Sequence, residues 1–122
     1  MNTSPLDIAL GYHHGWTTGD FDTAEELLAD DLTIEVPLNE YAGKADFSAA
    51  LRSFGGAATE VRVLGALEGK QSDACVIYDM DVAGLGTLRV AEHFRIVDGR
   101  IAAVRQIHDT AALRKAGFGP PL

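Results

Sequence analysis

Two spacings of apolar residues divide the chain into a helical first half and an extended second half. Up to about residue 56, apolar side chains recur every three or four positions, as on one face of an amphipathic helix. From Glu60 onward they recur at every second position, as on one face of a strand. Helices followed by a run of antiparallel strands indicate an α+β domain with helices on one face of the sheet.

Three helices are predicted in the first half. Ser4 and Pro5 favour a helix start, because serine caps helix N-termini and proline fits the first helical position. The predicted bounds are Ser4 to Gly19 for the first helix, Asp20 or Asp22 to Asp31 for the second, and Lys44 to Phe54 for the third. No repeat or linker interrupts the pattern, so we expect one domain over residues 1–122 with a loose tail from about residue 115.

Five strands are predicted. The first is short, over residues 33–36, and stops at Pro37. The others cover residues 61–67, 74–82, 87–97 and 100–109. Short loops between the last strands favour a meander.

The register of the last hairpin decides which side chains face the core, and two turns are compatible with the sequence. A two-residue turn at Asp98-Gly99 places Glu92 opposite Arg105, as half of an ordinary ion pair. A three-residue turn with a bulge instead brings Gln106 and His108 to the side of Glu92. One residue of slip moves every side chain to the other face, so the two turns predict different interiors.

Glu92 interrupts an apolar row on the fourth predicted strand, where Leu88, Val90, Phe94 and Ile96 share its face. A carboxyl in such a row is costly unless it is paired, protonated or facing a cavity. Two interpretations stay open: a carboxylate that reaches a nearby arginine, and a pocket carboxyl with a raised pKa. On the preceding strand, the face that carries Tyr78 and Met80 is either core or the wall of a ligand pocket.

Charge and composition exclude several classes of function. Ten Lys and Arg against eighteen Asp and Glu give a net charge of −8, which argues against nucleic acid or an anionic membrane as a partner. The longest apolar run covers only residues 74–78, and no signal peptide is recognisable, so we expect a cytoplasmic protein without a membrane span. Histidines, the single cysteine and glycines lack the spacing of metal or phosphate sites, so no metal and no cofactor are predicted.

Three stretches of sequence carry a resemblance to a known fold family: residues 16–22, where a Gly-Asp pair joins two helices, residues 28–37, and residues 92–101. In their order they resemble the nuclear-transport-factor-2-like superfamily, in its SnoaL-like and ketosteroid-isomerase-like branch. The resemblance implies a cone, formed by a curved antiparallel sheet with three helices on its concave face. This fold hosts many activities, so it does not by itself name one.

The resemblance also implies site residues. Ketosteroid isomerases hold the reacting carbonyl with a tyrosine of the first helix and a protonated acid, and the corresponding positions here are Tyr12 and Glu92. The position of the family's general base is Val36, which has no carboxylate. His108 falls at an aromatic position of the family pocket and could supply a base instead. An inward position 108 favours the three-residue turn.

We therefore predict an apolar pocket for a small ligand. Its predicted lining is Tyr12, Trp16, Val36, Phe54, Tyr78, Met80, Glu92 and His108. Tyr12, Glu92 and His108 would act as catalytic residues in an isomerase or cyclase for a small apolar carbonyl compound. The alternative, which the apolar Val36 favours, is a non-catalytic ligand-binding or dimerisation module with the same pocket.

A second enzyme type shares the fold. Limonene-epoxide-hydrolase-like enzymes activate water with an Asp-Arg-Asp set, and Arg89, Glu92 and Asp109 provide similar residue types. Arg89 and Glu92 are three apart on one predicted strand, however, so they are expected to face opposite sides of the sheet.

A homodimer is predicted from the outer face of the sheet. Helices can cover only one side, and the other side is expected to carry Cys75, Ile77, Ile101, Ala103 and Ile107. An exposed apolar patch of this kind is unusual in a monomer, so two copies are expected to pack sheet to sheet with two-fold symmetry.

Overall fold

The computed structural model describes residues 3–118 of the chain, as four helices and five strands. The helices are α1 (Pro5–Thr17), α2 (Phe21–Glu26), α3 (Lys44–Gly55) and α4 (Ala111–Lys115). The strands are β1 (Leu28–Glu35), β2 (Ala58–Glu68), β3 (Asp73–Val82), β4 (Gly86–Val97) and β5 (Arg100–His108).

The strands form one curved, unclosed sheet in the order β1-β5-β4-β3-β2. Strands β2 to β5 form an antiparallel meander, as predicted, and β1 pairs with β5 in the parallel direction. Helices α1 and α3 pack on the concave face, and the buried apolar side chains of sheet and helices form one core. The predicted α+β cone is confirmed.

The start of α1 is built as the sequence indicates. The hydroxyl of Ser4 accepts a hydrogen bond from the backbone N–H of Asp7 at 3.1 Å, and Pro5 occupies the first turn. Further along α1, Tyr12 and Trp16 are buried against Phe94 and Tyr78 of the sheet.

The boundary between α2 and β1 differs from the prediction. Helix α2 ends at Glu26 and not at Asp31, and β1 begins at Leu28 and not at Thr33. Leu28 faces Ile101 of β5, and the backbone N–H of Ile101 donates to the carbonyl of Leu27 over 2.8 Å. Pairing with a distant strand therefore overrides the local helical spacing of these leucines.

The turn of the last hairpin has two residues, so the favoured three-residue turn is wrong. Asp98 and Gly99 both have positive φ, of 51° and 76°, as a type I′ turn requires. The register then shifts by one residue, because Ile96 faces Ile101 while Arg95 faces Ala103. Ala102 is the extra residue of this bulge.

Because of the bulge, the β5 side chains that face the interior are the ones that the three-residue turn predicts. Glu92 faces Gln106, and Val90 faces His108, so both β5 side chains lie on the inner face. Arg105 lies on the outer face, where its Nε donates to a carboxylate oxygen of Glu35 at 2.6 Å. The ion pair between Glu92 and Arg105 is not formed.

Two further features of the C-terminal region were not predicted correctly. Helix α4 follows β5 and was not predicted. Ile101, expected on the outer face, is fully buried on the inner face. The end of the loose tail falls on residues 119–122, outside the described residues. Within residues 3–118, no helix is long and apolar enough to cross a membrane.

Candidate functional site

A cavity of about 70 Å³ lies between the helices and the concave face of the sheet. Its apolar wall is formed by Leu51, Phe54, Met80, Leu88, Val90 and Leu113. The same cavity is lined by five residues with polar side-chain atoms, Trp16, Tyr78, Glu92, Gln106 and His108. Six of the eight predicted lining residues are therefore brought together in one place.

Glu92 is the buried acid of this cavity, with 1% of its surface exposed. Its Oε2 accepts a hydrogen bond from Nε2 of Gln106 at 2.8 Å, and its Oε1 accepts one from the hydroxyl of Tyr78 at 3.3 Å. Among the described residues, no Lys or Arg forms an ion pair with it. Two neutral donors, and not an arginine, hold the carboxyl.

The environment of Glu92 favours its protonated form. Burial raises its pKa from 4.5 to about 7, because a carboxylate loses hydration there. The hydrogen bonds from Gln106 and Tyr78 act in the opposite direction and offset part of this rise in pKa. Near neutral pH, Glu92 therefore populates both a donating and an accepting form.

His108 lies at the end of β5, half-buried, with its ring on the cavity wall. Its Nδ1 lies 3.0 Å from the backbone carbonyl oxygen of Asp109. Since a carbonyl oxygen only accepts, the neutral ring carries its proton on Nδ1 and keeps a lone pair on Nε2. In this tautomer, Nε2 of His108 can accept a proton.

An aromatic cluster of His13, Trp16 and Tyr78 flanks the cavity. The ring centroid of His13 lies 4.8 Å from that of Tyr78 and 5.3 Å from that of Trp16. Burial lowers the pKa of His13 from 6.5 to about 4, so this imidazole is neutral at neutral pH. Trp16 Nε1 and His13 Nδ1 have no hydrogen-bond partner among residues 3–118.

Two predicted lining residues, Tyr12 and Val36, lie outside the cavity. Tyr12 is fully buried and packs edge-to-face on Phe94, with ring centroids 5.5 Å apart. Its hydroxyl has no partner in residues 3–118, and burial followed by the charge of Glu92 raises its pKa well above 10.0. Val36 follows the end of β1 and is half-buried. Tyr78 is therefore the tyrosine that contacts Glu92.

The sequence pattern indicates that Tyr78 lies near Glu92, although the family resemblance assigns the role of the tyrosine to Tyr12. Val76 lies directly opposite Glu92 on the neighbouring strand, and Tyr78 is the next residue on the same face. A diagonal pair across two strands is within reach of a long aromatic side chain. Gln106 lies opposite Glu92 because of the bulge at Ala102. The alternation of apolar and polar residues does not predict that bulge.

The epoxide-hydrolase-like set is not assembled. Arg89 points to the outer face, where its Nε and Nη2 donate to the carboxylate of Asp79 at 2.8 and 3.0 Å. The carboxylate of Asp109 accepts from the backbone N–H of Ala111 at the start of α4. Within residues 3–118, no group of three or more His, Cys, Asp or Glu side chains is placed to hold a metal ion.

The comparisons with known proteins agree with this fold. The SnoaL-like domain family matches residues 9–104, so the chain belongs to the SnoaL-like family. A solved protein from Kribbella flavida DSM 17836 is 32% identical with a TM-score of 0.86, over 94% of each chain. The search of curated proteins returns no significant match.

Two more distant structures carry the names of enzymes. An LEH-like epoxide hydrolase of M. tuberculosis is 22% identical with a TM-score of 0.72, over 91% of this chain and 86% of that one. A Kribbella flavida protein provisionally assigned as a ketosteroid isomerase is 20% identical with a TM-score of 0.76, over 97% and 82%. At these identities the similarity establishes the shared fold alone.

Proposed function

We propose that the protein binds a small, neutral, mostly apolar carbonyl compound in the cavity. It would catalyse removal of a proton from the carbon next to the carbonyl and its return to the same or a conjugated carbon. The observation that carries the proposal is Glu92, a fully buried carboxyl without a cationic partner among the described residues, on the wall of an apolar cavity. Its pKa of about 7 suits a general acid at neutral pH, because the protonated form is populated and still able to transfer its proton.

The polar side chains of the cavity take complementary roles. Protonated Glu92 donates to the carbonyl oxygen of the ligand and stabilises the negative charge that develops there. Nε2 of His108 takes a proton from the carbon next to the carbonyl, and the electron pair of that C–H bond moves toward the oxygen. Return of the proton to the same or a conjugated carbon restores the carbonyl. Tyr78 and Gln106 fix the carboxyl through their hydrogen bonds.

The cavity restricts what the ligand can be. Its volume of about 70 Å³ is roughly half that of the ~150 Å³ engineered cavity that binds benzene. This volume excludes a steroid ring system and limits the ligand to a short-chain compound. In the described part of the chain, no Lys or Arg lines the cavity, so a neutral compound is favoured over a carboxylate or phosphate.

Exchange of protons beside a carbonyl tests the proposal directly. 2-Pentanone in D₂O, followed by proton NMR, is expected to exchange its α-protons faster with the protein than without it. His108→Gln is expected to lower this rate by about 10²–10⁴, the usual contribution of a general base. Glu92→Gln keeps a donor and is expected to bind the ketone, while Glu92→Ala is expected to bind it more weakly.

The matched control is His14→Gln, because His14 neighbours the aromatic cluster in sequence but is exposed on α1. It is expected to leave the exchange rate unchanged. If the α-protons of 2-pentanone do not exchange faster at a saturating concentration of the ketone, the catalytic proposal is wrong. Binding without exchange would support the second candidate, a non-catalytic ligand-binding module, which the apolar Val36 outside the cavity favours.

A further inference from the structure

One polar group beside the cavity takes no part in the proposed proton transfer. Trp16 lines the cavity and is 4% exposed, and its Nε1–H has no hydrogen-bond partner among residues 3–118. Buried tryptophan N–H groups usually have a partner, and leaving such a donor unpaired is costly. A ligand oxygen in the cavity would supply the missing acceptor.

The indole ring is fixed in place by its neighbours. It packs edge-to-face against His13 and Tyr78, with ring centroids 5.3 and 5.8 Å away. The ring therefore has little freedom to rotate toward another acceptor, and its donor position is set before a ligand arrives.

We propose that Trp16 determines specificity by donating its indole N–H to a second oxygen of the ligand. The inference rests on the proposed function, in which Glu92 binds the first oxygen. The favoured ligand is then a neutral short-chain ketone with an additional acceptor oxygen, as an ether, a hydroxyl or a second carbonyl. The apolar remainder of the wall accommodates its carbon chain.

Two ketones of the same size test the inference. Methoxyacetone and 2-pentanone have the same number of non-hydrogen atoms and differ by an ether oxygen in place of a methylene. Methoxyacetone is expected to bind about fivefold more tightly, the factor for one net hydrogen bond. Because Trp16 is the single tryptophan of the chain, its indole N–H gives one identifiable NMR signal. Methoxyacetone is expected to shift that signal downfield, and 2-pentanone is not.

Trp16→Phe keeps an aromatic ring and removes the donor. It is expected to abolish the preference for methoxyacetone, while its affinity for 2-pentanone reports any change in packing. Should this variant not fold, the NMR titration of the wild-type protein decides alone. Equal affinities with an unmoved indole signal would overturn the inference and leave the proposed function intact, provided that α-exchange is still accelerated. A retained preference without exchange would overturn catalysis only, and binding of neither ketone would reject both.

Discussion

The hydroxyl of Tyr78 lies 3.3 Å from Oε1 of Glu92, diagonally across two neighbouring strands. Both side chains are buried, and within residues 3–118 the carboxylate of Glu92 is held by neutral hydrogen-bond donors alone. A carboxylate in this position costs folding free energy that a protonated carboxyl does not. The protonation of Glu92 should therefore be visible in the stability of the protein.

The first prediction is that Glu92 destabilises the fold as the pH rises. Between about pH 4.5 and 7 the folded protein keeps a proton on Glu92 that the unfolded chain has lost, so this group's contribution to stability decreases across that window. The whole decrease is about 3 kcal/mol for a shift from 4.5 to about 7. Relative to wild type, the free energy of unfolding of Glu92→Gln is expected to increase by that amount between pH 4 and pH 8, as measured by urea unfolding. Glu40→Gln, at an exposed position, is the control. Parallel pH profiles for wild type and Glu92→Gln would contradict the prediction.

The second prediction concerns His13, which acts in the opposite direction. Its pKa is lowered from 6.5 to about 4, so between these values the unfolded chain holds a proton that the folded protein lacks. Stability from this group therefore increases as the pH rises from 4 to 6.5. His13→Phe, which keeps an aromatic ring beside Trp16 and Tyr78, is expected to remove this increase. Urea unfolding of the variant at pH 4.5 and 6.5 checks it, and an unchanged pH slope would refute the prediction.

The third prediction separates the donors of Glu92. Gln106 and Tyr78 both lower the pKa of Glu92, with Gln106 the larger contributor. Gln106→Met has a similar size but no donor, so it is expected to raise that pKa above about 7. Tyr78→Phe is expected to raise it less. A carbon-detected titration of the Glu92 carboxyl measures both, and a wild-type midpoint near 4 would show that burial does not govern this group.

The fourth prediction is that the Tyr12 hydroxyl is dispensable. It is buried without a partner among the described residues and lies outside the cavity, against Phe94. Tyr12→Phe is expected to stabilise the protein by about 1 kcal/mol, because it removes an unpaired buried polar group. Thermal and urea unfolding measure this change. Loss of ketone binding in this variant would instead restore the role that the family resemblance assigns to Tyr12.

The fifth prediction is the homodimer. On the outer face, Ile77, Ala91 and Ile107 face one another in a row across β3, β4 and β5. Ile107 is 63% exposed at the end of this row. Light scattering at tens of micromolar is expected to give twice the chain mass of 13.0 kDa, and Ile107→Lys is expected to return the mass to 13.0 kDa. A wild-type mass of 13.0 kDa would exclude the dimer at that concentration.

The inward position of Glu92 was predictable because alternation along a strand depends only on neighbouring residues. The residue directly opposite Glu92 was harder to predict from the sequence. Gln106 takes that place because of a bulge that arises from the pairing of two strands. The same limit explains the boundary at Leu28, where a helix-like spacing of leucines yields to pairing with Ile101. Features within one element and the order of the meander could be predicted from the sequence, whereas the exact pairing of residues between strands could not.

The parallel pairing of β1 with β5 has a consequence for how the chain folds. Thr33 faces Ala103, so this pairing closes a loop of about seventy residues, whereas β2 to β5 meet through short turns. Contacts between residues that are far apart in the sequence form slowly. We therefore expect the meander to form first and β1 to dock last. In pulse-labelling hydrogen exchange, the amides of β3 and β4 should gain protection before those of β1. The cavity wall contributed by the meander would then exist before β1 adds to the edge of the sheet.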